Sequence, residues 1–254
     1  MTRSRLIIAA TAVIVAIAVG GFVVYDQVLR GDSAAALALP TASTASNAPA
    51  ASTAAGASGA PAASTGTSGA SVGEVAGTWN VGANSVAGYR VREQLANLPA
   101  ESDAVGRTDK VTGSITIDTS GTATTLTAAS LSVDMTSLAS DKTMRDNRLR
   151  REGLETDAFP TATFVLTAPV EVPAVALTGT TSDITLTGDL TVHGVTKSVQ
   201  IPAQAQLVNG TIQVAGSLTF PLSDYAIVAP NIGGVIVSIA DNGTLEFLVN
   251  FTKA

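Results

Sequence analysis

The chain of 254 residues contains no cysteine and only one histidine, His193. The lack of cysteine excludes disulfide bonds, thiolate metal sites and thiol nucleophiles. A single histidine without cysteine cannot build the usual zinc ligand sets, so metal-assisted hydrolysis is not expected. His193 precedes Gly194, and its simplest interpretation is a turn residue at the tip of a hairpin. We therefore expect neither an enzyme nor a bound cofactor or metal ion.

Positive charge is scarce as well. The chain has 14 Lys and Arg against 20 Asp and Glu, and after residue 73 the count is 11 against 18. A surface with this excess of acids is poorly suited to the phosphates of nucleic acid. The acids are scattered, and none has a partner at the spacing that paired-carboxylate hydrolysis needs. Nucleic acid is therefore not an expected partner, and a hydrolase ranks last among the functions considered.

Residues 6–25 carry no charge at all, and their twenty residues are long enough to cross a bilayer as a helix. Arg3 and Arg5 precede this run, and basic residues favour the cytoplasmic side. We predict that residues 1–32 form an uncleaved signal-anchor in the cytoplasmic membrane, with everything after Tyr25 outside the cell membrane. A cleaved secretory signal is the alternative, although its apolar core is usually shorter and its cleavage site closer.

Residues 33–73 also lack charge and consist almost wholly of Ala, Ser, Thr, Gly and Pro. Such a composition buries too little apolar surface to offset the entropy of ordering. We predict a linker, whose end-to-end distance as a flexible coil is roughly 35 Å. The remaining residues, 74–254, are then the folded domain.

This domain shows the alternation of apolar and polar residues that is typical of half-buried strands. The predicted strands span residues 78–81, 86–94, 111–118, 126–134, 161–167, 183–192, 195–206, 211–222, 235–240 and 245–251. The dipeptides His193-Gly194, Asn209-Gly210 and Asn242-Gly243 favour the positive φ angles of tight hairpins. The pattern predicts an all-β fold, an antiparallel sheet that closes into a barrel or folds into a sandwich.

One stretch, from Ser140 to Phe164, interrupts the strands with a helical pattern. It holds five of the eleven basic residues that follow residue 73, namely Lys142, Arg145, Arg148, Arg150 and Arg151. We predict a helix of about ten residues, capped by Ser140 or Asp141 and closed by Gly153. Arg145 and Arg148 lie three residues apart on one face, where they can bind a phosphate or carboxylate. The alternative is that these cations pair with neighbouring acids on a solvated surface.

The order of motifs resembles that of the bacterial YceI-like family. The resemblance runs from about Thr78 to Phe251 and depends on the motifs GTWNVGANSVAGYRV, VTGSITID, SDKTMRDNRL, FPTATF and GDLTVHGVTK. It implies an extended, lipocalin-like antiparallel barrel that binds a polyisoprenoid or a related acyl-chain lipid in an apolar cavity. Two positions depart from the family pattern. Asn84-Ser85 stands where a His-Ser pair is common, and Arg148-Leu149 stands where His-Leu is common.

From this resemblance and the predicted anchor, we predict a carrier or sequestering protein for such a lipid, held at the outer face of the cytoplasmic membrane. Arg145 and Arg148 are the predicted contacts to the lipid head group, and Asp146 is expected to fix the helix to the barrel rim. The predicted cavity-lining residues are Ile115, Ile117, Phe164, Leu166, Leu218 and Phe220. The alternative function is an envelope interaction module whose barrel is filled by its own side chains. The oligomeric state is left open, with a dimer among the alternatives.

Overall fold

The computed structural model describes residues 33–40, 75–96, 101–230 and 236–254. Within these ranges, no helix combines the length and the apolar character that a membrane crossing needs. The predicted anchor at residues 6–25 lies outside the described residues, as does most of the predicted linker.

Twelve strand segments and one α-helix carry the fold of the described residues. The strands are β1 (Gly77–Val81), β2 (Val86–Leu95), β3 (Ser102–Thr108), β4 (Val111–Asp118), β5 (Thr125–Asp134), β6 (Ala139–Ser140), β7 (Thr161–Leu166), β8 (Val170–Glu171), β9 (Ser182–Val192), β10 (Val195–Val208), β11 (Thr211–Pro221) and β12 (Ile236–Lys253), and the helix is α1 (Thr143–Leu149).

These segments form an eight-stranded antiparallel barrel, as the sequence pattern and the family resemblance predict. The ring runs β1-β4-β5-β7-β9-β10-β11-β12, and pairing of β12 with β1 closes it. Beyond β1, the strand β2 continues the pairing along β12. The strand β3 pairs with β2, and β6 pairs with β3, so these three strands lengthen the barrel on that side. The end of the barrel at β2, β3 and α1 is called the α1 end below.

The barrel interior is packed with side chains over much of its length. Trp79, Phe251 and Val249 are at most 4% exposed and belong to one core cluster with the inward residues of the other strands. The buried Trp79 donates its indole N–H to the carbonyl of Val75 at 2.9 Å. A buried tryptophan whose N–H has a partner can fill the core with its large apolar ring.

Glycines on neighbouring strands make room for three inward aromatic rings. A Cβ atom added at Gly106 would lie 2.3 Å from a ring carbon of Tyr89, its cross-strand partner. An added Cβ atom would lie 2.5 Å from a ring carbon of Phe164 at Gly188, and 2.7 Å from a ring carbon of Phe247 at Gly216. The rings can therefore lie flat against the adjacent strand, which leaves room in the barrel interior for side chains from the opposite wall.

The structure corrects several local predictions. Lys142, not Ser140 or Asp141, is the N-cap of α1, and the helix has seven residues and ends before Gly153. Asn242-Gly243 does not form a hairpin, because both residues lie inside the continuous strand β12, where its register with β2 shifts. The strand β3 was not predicted. The other two turn dipeptides are confirmed, since His193, Gly194, Asn209 and Gly210 all have positive φ.

Gly113 provides a test of how closely β4 and β5 approach each other. Its φ is +134°, and an added Cβ atom would lie 2.0 Å from the carbonyl oxygen of Ser130 on β5. We expect Gly113→Ala to lower the free energy of unfolding by about 1–3 kcal/mol, because backbone must move in both strands. Urea unfolding measures the loss. Gly121→Ala is the matched control, because an added Cβ there meets open space, and an equal loss in both variants would contradict the prediction.

Candidate functional site

A cap segment, defined as residues 141–160 and including α1, covers the α1 end of the barrel. The carboxylate of Asp146 accepts hydrogen bonds from the backbone N–H of Ser140 at 3.0 and 3.1 Å. This fixes α1 to β6 and so to the barrel rim, as predicted for Asp146. Arg150 adds a second attachment by donating to the carbonyl of Thr136 at 3.2 Å.

His193 holds the far end of the cap segment. Its Nδ1 atom lies 3.0 Å from the carbonyl oxygen of Tyr225, and its Nε2 atom lies 2.9 Å from a carboxylate oxygen of Glu155. Phe159 packs on the imidazole with its ring centroid 4.3 Å away. Both ring nitrogens therefore lie within hydrogen-bond distance of an oxygen atom. His193 is thus a turn residue, as predicted, that also joins the β9–β10 hairpin to the cap segment.

A cavity of about 140 Å³ lies under the cap segment, inside the α1 end of the barrel. Most of its lining is apolar and includes Ala87, Val91, Ala104, Met135, Leu149, Phe220 and Leu245. The polar residues in the lining are Tyr89, Glu93, Arg145, Arg148 and Thr244. An apolar cavity with a few convergent polar groups is typical of a small-molecule site.

Arg145 and Glu93 form an ion pair at the boundary between the cap segment and β2. Arg145 Nη2 lies 2.5 Å from Glu93 Oε1, and Nη1 lies 2.5 Å from Asp141 Oδ1. The side chain of Glu93 is 5% exposed and that of Arg145 is 17% exposed. Burial alone would lower the pKa of Arg145, but the charges and hydrogen bonds of Glu93 and Asp141 outweigh it and raise that pKa. Arg145 is therefore a fixed cation with two anionic partners.

Arg148 also lines the cavity but is held loosely. Its Nη1 atom lies 3.3 Å from Glu152 Oε2, and the two side chains are 35% and 53% exposed. Exposed pairs of this kind typically contribute only about 0.2–1 kcal/mol. Of the two predicted head-group arginines, Arg148 is the one whose guanidinium can change partner at little cost.

The hydroxyl of Tyr89 is buried, and no residue of the described chain offers it a hydrogen-bond partner. Burial raises its pKa well above the ordinary value, and the nearby Arg145 offsets only part of this rise. The hydroxyl therefore keeps its proton and can donate. An unsatisfied buried hydroxyl costs about 1–3 kcal/mol, which a ligand acceptor in the cavity would recover.

Tyr89 and Glu93 are site residues that the sequence pattern alone does not predict. A signal was present in β2, where Ala87, Tyr89, Val91 and Glu93 alternate with outward residues. An acid on an otherwise apolar inward face indicates a buried charge with a partner elsewhere in the fold. That partner, Arg145, comes from a different part of the chain and cannot be identified from the strand itself.

The six predicted cavity-lining residues all belong to the barrel core. Phe220 lines the described cavity. Ile115, Ile117 and Phe164 are buried in the packed core, while Leu166 and Leu218 are partly buried and pack against it.

Comparison with known proteins gives both a family and similar folds. The model of the YceI-like domain matches residues 79–251. The structure is similar to a polyisoprenoid-binding domain from Saccharophagus degradans, implicated in plant cell wall breakdown, with 19% identity and a TM-score of 0.54 over 70% of this chain and 99% of that one. It is also similar to BcnA from Burkholderia cenocepacia, with 23% identity and a TM-score of 0.50 over 67% of this chain and 98% of that one. No curated protein matches the chain in sequence.

Proposed function

Because the chain belongs to the YceI-like domain family, we propose that its barrel binds, sequesters or transports a polyisoprenoid or another long-chain amphipathic lipid. The observation that carries this proposal is the apolar cavity at the α1 end, with polar groups gathered where the cap segment meets the barrel. The similar domain from Saccharophagus degradans, described as polyisoprenoid-binding, supports the same ligand class.

The size of the cavity limits how much of a lipid the described conformation encloses. An engineered protein cavity of roughly 150 Å³ holds one benzene molecule. The cavity here, about 140 Å³, thus suits one ring or about one isoprene unit. A longer chain requires the partly buried side chains below the cavity, among them Leu166 and Leu218, to move aside. We propose Ile115, Ile117 and Phe164 as lining residues of a cavity extended in this way.

The charges around the cavity favour an uncharged head group. Glu93 and Asp141 already neutralise Arg145, and Glu152 neutralises Arg148. A phosphate must compete with these carboxylates, whereas a carbonyl or hydroxyl oxygen can accept from Tyr89 without displacing any of them. We therefore propose Tyr89 as the main donor to a neutral head group, with Arg145 and Arg148 at the same cavity as further proposed contacts.

The proposed place of action is the outer face of the cytoplasmic membrane, with the apolar run at residues 6–25 as a single-pass anchor. The support for it is the sequence of this run and the Arg3 and Arg5 that precede it. A barrel anchored there has direct access to membrane lipids.

Tyr89→Phe tests the head-group proposal. We expect the variant to bind a prenyl alcohol about fivefold more weakly, because one hydrogen bond of about 1 kcal/mol is lost, and to bind the hydrocarbon of equal length unchanged. Competition with a fluorescent fatty acid analogue measures both affinities. Tyr225→Phe is the matched control, because the Tyr225 hydroxyl is also buried without a hydrogen-bond partner among the described residues but does not line the cavity. Equal losses for alcohol and hydrocarbon would contradict a hydrogen bond from Tyr89.

The packed interior below the cavity favours a second candidate, an envelope interaction module that carries no lipid. Mass spectrometry of organic extracts from the purified full-length protein separates the two functions. We expect a long-chain lipid in stoichiometric amount. Its absence, together with failure to bind added prenyl alcohols of any length, would favour the interaction module.

A further inference from the structure

The first eight residues of the predicted linker lie against the outer wall of the barrel. We call residues 33–40 the strap. The hydroxyl of Ser33 donates to the carbonyl of Asp103 at 3.1 Å, and Arg90 donates to the carbonyl of Ala34 at 2.6 Å. Arg107 donates to the carbonyl of Ala35. The strap is therefore attached by the Ser33 hydroxyl to the backbone of β3, and by two backbone carbonyls to arginine side chains of β2 and β3.

A buried charge cluster on the outer wall receives the strap. Glu246 alternates with the inward residues of β12, so it points outward, yet it is only 2% exposed. Its carboxylate lies 2.7 Å from Arg107 Nη2 and 3.6 Å from Arg90 Nη2, and it accepts from the N–H of Leu37 at 3.4 Å. Carboxylate and guanidinium groups at this burial require hydrogen-bond partners, and strap backbone groups supply some of them.

Apolar contact continues the attachment beyond the charge cluster. Leu39 is 6% exposed, although it belongs to a segment without regular secondary structure. Leu37 and Ala38 line a shallow groove together with Gln204 of β10 and Ser217 of β11. The strap thus crosses the outer faces of neighbouring strands from β3 toward β10.

The direction of the strap relative to the cavity is defined by its first residue. Ser33 donates a hydrogen bond to the carbonyl of Asp103 on β3. The preceding residue of β3, Ser102, pairs with Glu93, which lies at the polar edge of the cavity. The strap end nearest to the apolar run at residues 6–25 therefore lies at the α1 end of the barrel.

From this geometry we infer that the strap presents the α1 end of the barrel, with its cavity, to the membrane. The inference rests on the proposed anchoring by residues 6–25. If the strap is docked, the tether between bilayer and barrel is residues 26–32, not residues 26–73. Seven residues span at most roughly 25 Å even when fully extended, so Ser33, at the α1 end, stays within that distance of the lipid surface. Residues 41–74 then connect the strap to β1 without adding to the separation.

The test compares the distances of two labelled sites from the bilayer in the full-length protein. The chain has no cysteine, so Met144→Cys on α1 and Gly121→Cys at the opposite end of the barrel each give one labelling site. Met144 is 74% exposed, and Gly121 has open space around its Cβ position. The protein is reconstituted in phosphatidylcholine vesicles that contain lipids with an energy-transfer acceptor on the head group. We expect higher transfer from residue 144 than from residue 121.

A strap variant shows whether docking causes the difference. Leu37→Asp/Leu39→Asp places two charges against the outer wall, and Ala36→Asp/Pro40→Asp places the same charges at exposed strap positions. We expect the first variant to lose the difference between the two labels and the second to keep it. Equal transfer from both labels in the unmodified strap, or a difference that survives Leu37→Asp/Leu39→Asp, would overturn the inference while the anchor stands. Failure of the protein to float with the vesicles would overturn the proposed anchoring and this inference with it.

Discussion

Arg145→Ala is expected to lower the free energy of unfolding by about 3–5 kcal/mol, whereas Arg148→Ala is expected to lower it by less than about 1 kcal/mol. Both arginines lie on α1 and line the same cavity. The difference comes from their partners, because Glu93 is 5% exposed and Glu152 is 53% exposed. Without Arg145, a carboxylate at the cavity wall loses its counter-ion in a poorly solvated place. Without Arg148, the exposed carboxylate of Glu152 stays solvated, so its loss of a partner costs little.

Chemical denaturation at neutral pH measures both losses. Glu93→Gln/Arg145→Met serves as the control, since it removes both charges and is expected to recover most of the loss seen in Arg145→Ala. Similar small losses for Arg145→Ala and Arg148→Ala would mean that Glu93 is solvated in the folded state and that the ion pair contributes little.

Lowering the pH should reduce the contribution of Arg145 and its two carboxylate partners, Glu93 and Asp141, to the free energy of unfolding. Burial by itself would raise the pKa of Asp141, but the hydrogen bond and charge of Arg145, with Lys142, hold it below the ordinary value. A carboxyl group with a lowered folded-state pKa stabilises the fold above its unfolded pKa, and this stabilisation is lost as pH falls through the folded pKa. The difference in stability between the parent and Arg145→Ala is therefore expected to narrow in acid. Unfolding measured over a pH series tests this, and a constant difference would contradict it.

Ala104→Phe is expected to abolish most lipid binding. Ala104 is 5% exposed and lines the cavity, so a phenyl ring there occupies the space proposed for the ligand. Excluding about one isoprene unit forfeits roughly 4 kcal/mol of transfer free energy, or about a thousandfold in affinity. Titration with a prenyl alcohol measures the loss, and thermal unfolding verifies that the domain stays folded.

Ala128→Phe provides the matched comparison for this substitution. Ala128 is exposed on β5, where the added ring enters no cavity, and binding is expected to be unchanged. If Ala104→Phe also left binding unchanged in a folded protein, the lipid would have to bind elsewhere than under the cap segment.

The strands with regular alternation could be predicted from the sequence, and the exceptions have local causes. In β4, Val111, Ile115 and Ile117 are large, apolar and inward, so the period of two is plain. In β3, the sequence SDAVGRT offers small inward residues at Ala104 and Gly106, because Tyr89 needs the space above Gly106. The pattern there reflects a neighbouring ring and is not visible in β3 alone.

The candidate site could be predicted only in part because its contacts join distant segments. The basic character of α1 and the attachment by Asp146 follow from nearby sequence. The pairing of Arg145 with Glu93 depends on how the cap segment folds back over β2, and the burial of Glu246 depends on a strap whose composition suggests a linker. In each case a side chain gains its role from a partner that local periodicity does not indicate.

Closure of the barrel by its first and last strands has a consequence for folding. Trp79 of β1 pairs with Lys253, and β12 also pairs with β2 and β11, so the eighteen residues of β12 complete contacts on both sides. Contacts between such distant parts of a chain form slowly, because a large loop must close before they stabilise anything. The ring therefore cannot form until synthesis reaches the end of the domain. Before that point β1, β2 and β11 expose unpaired edges, and association with another copy competes with folding.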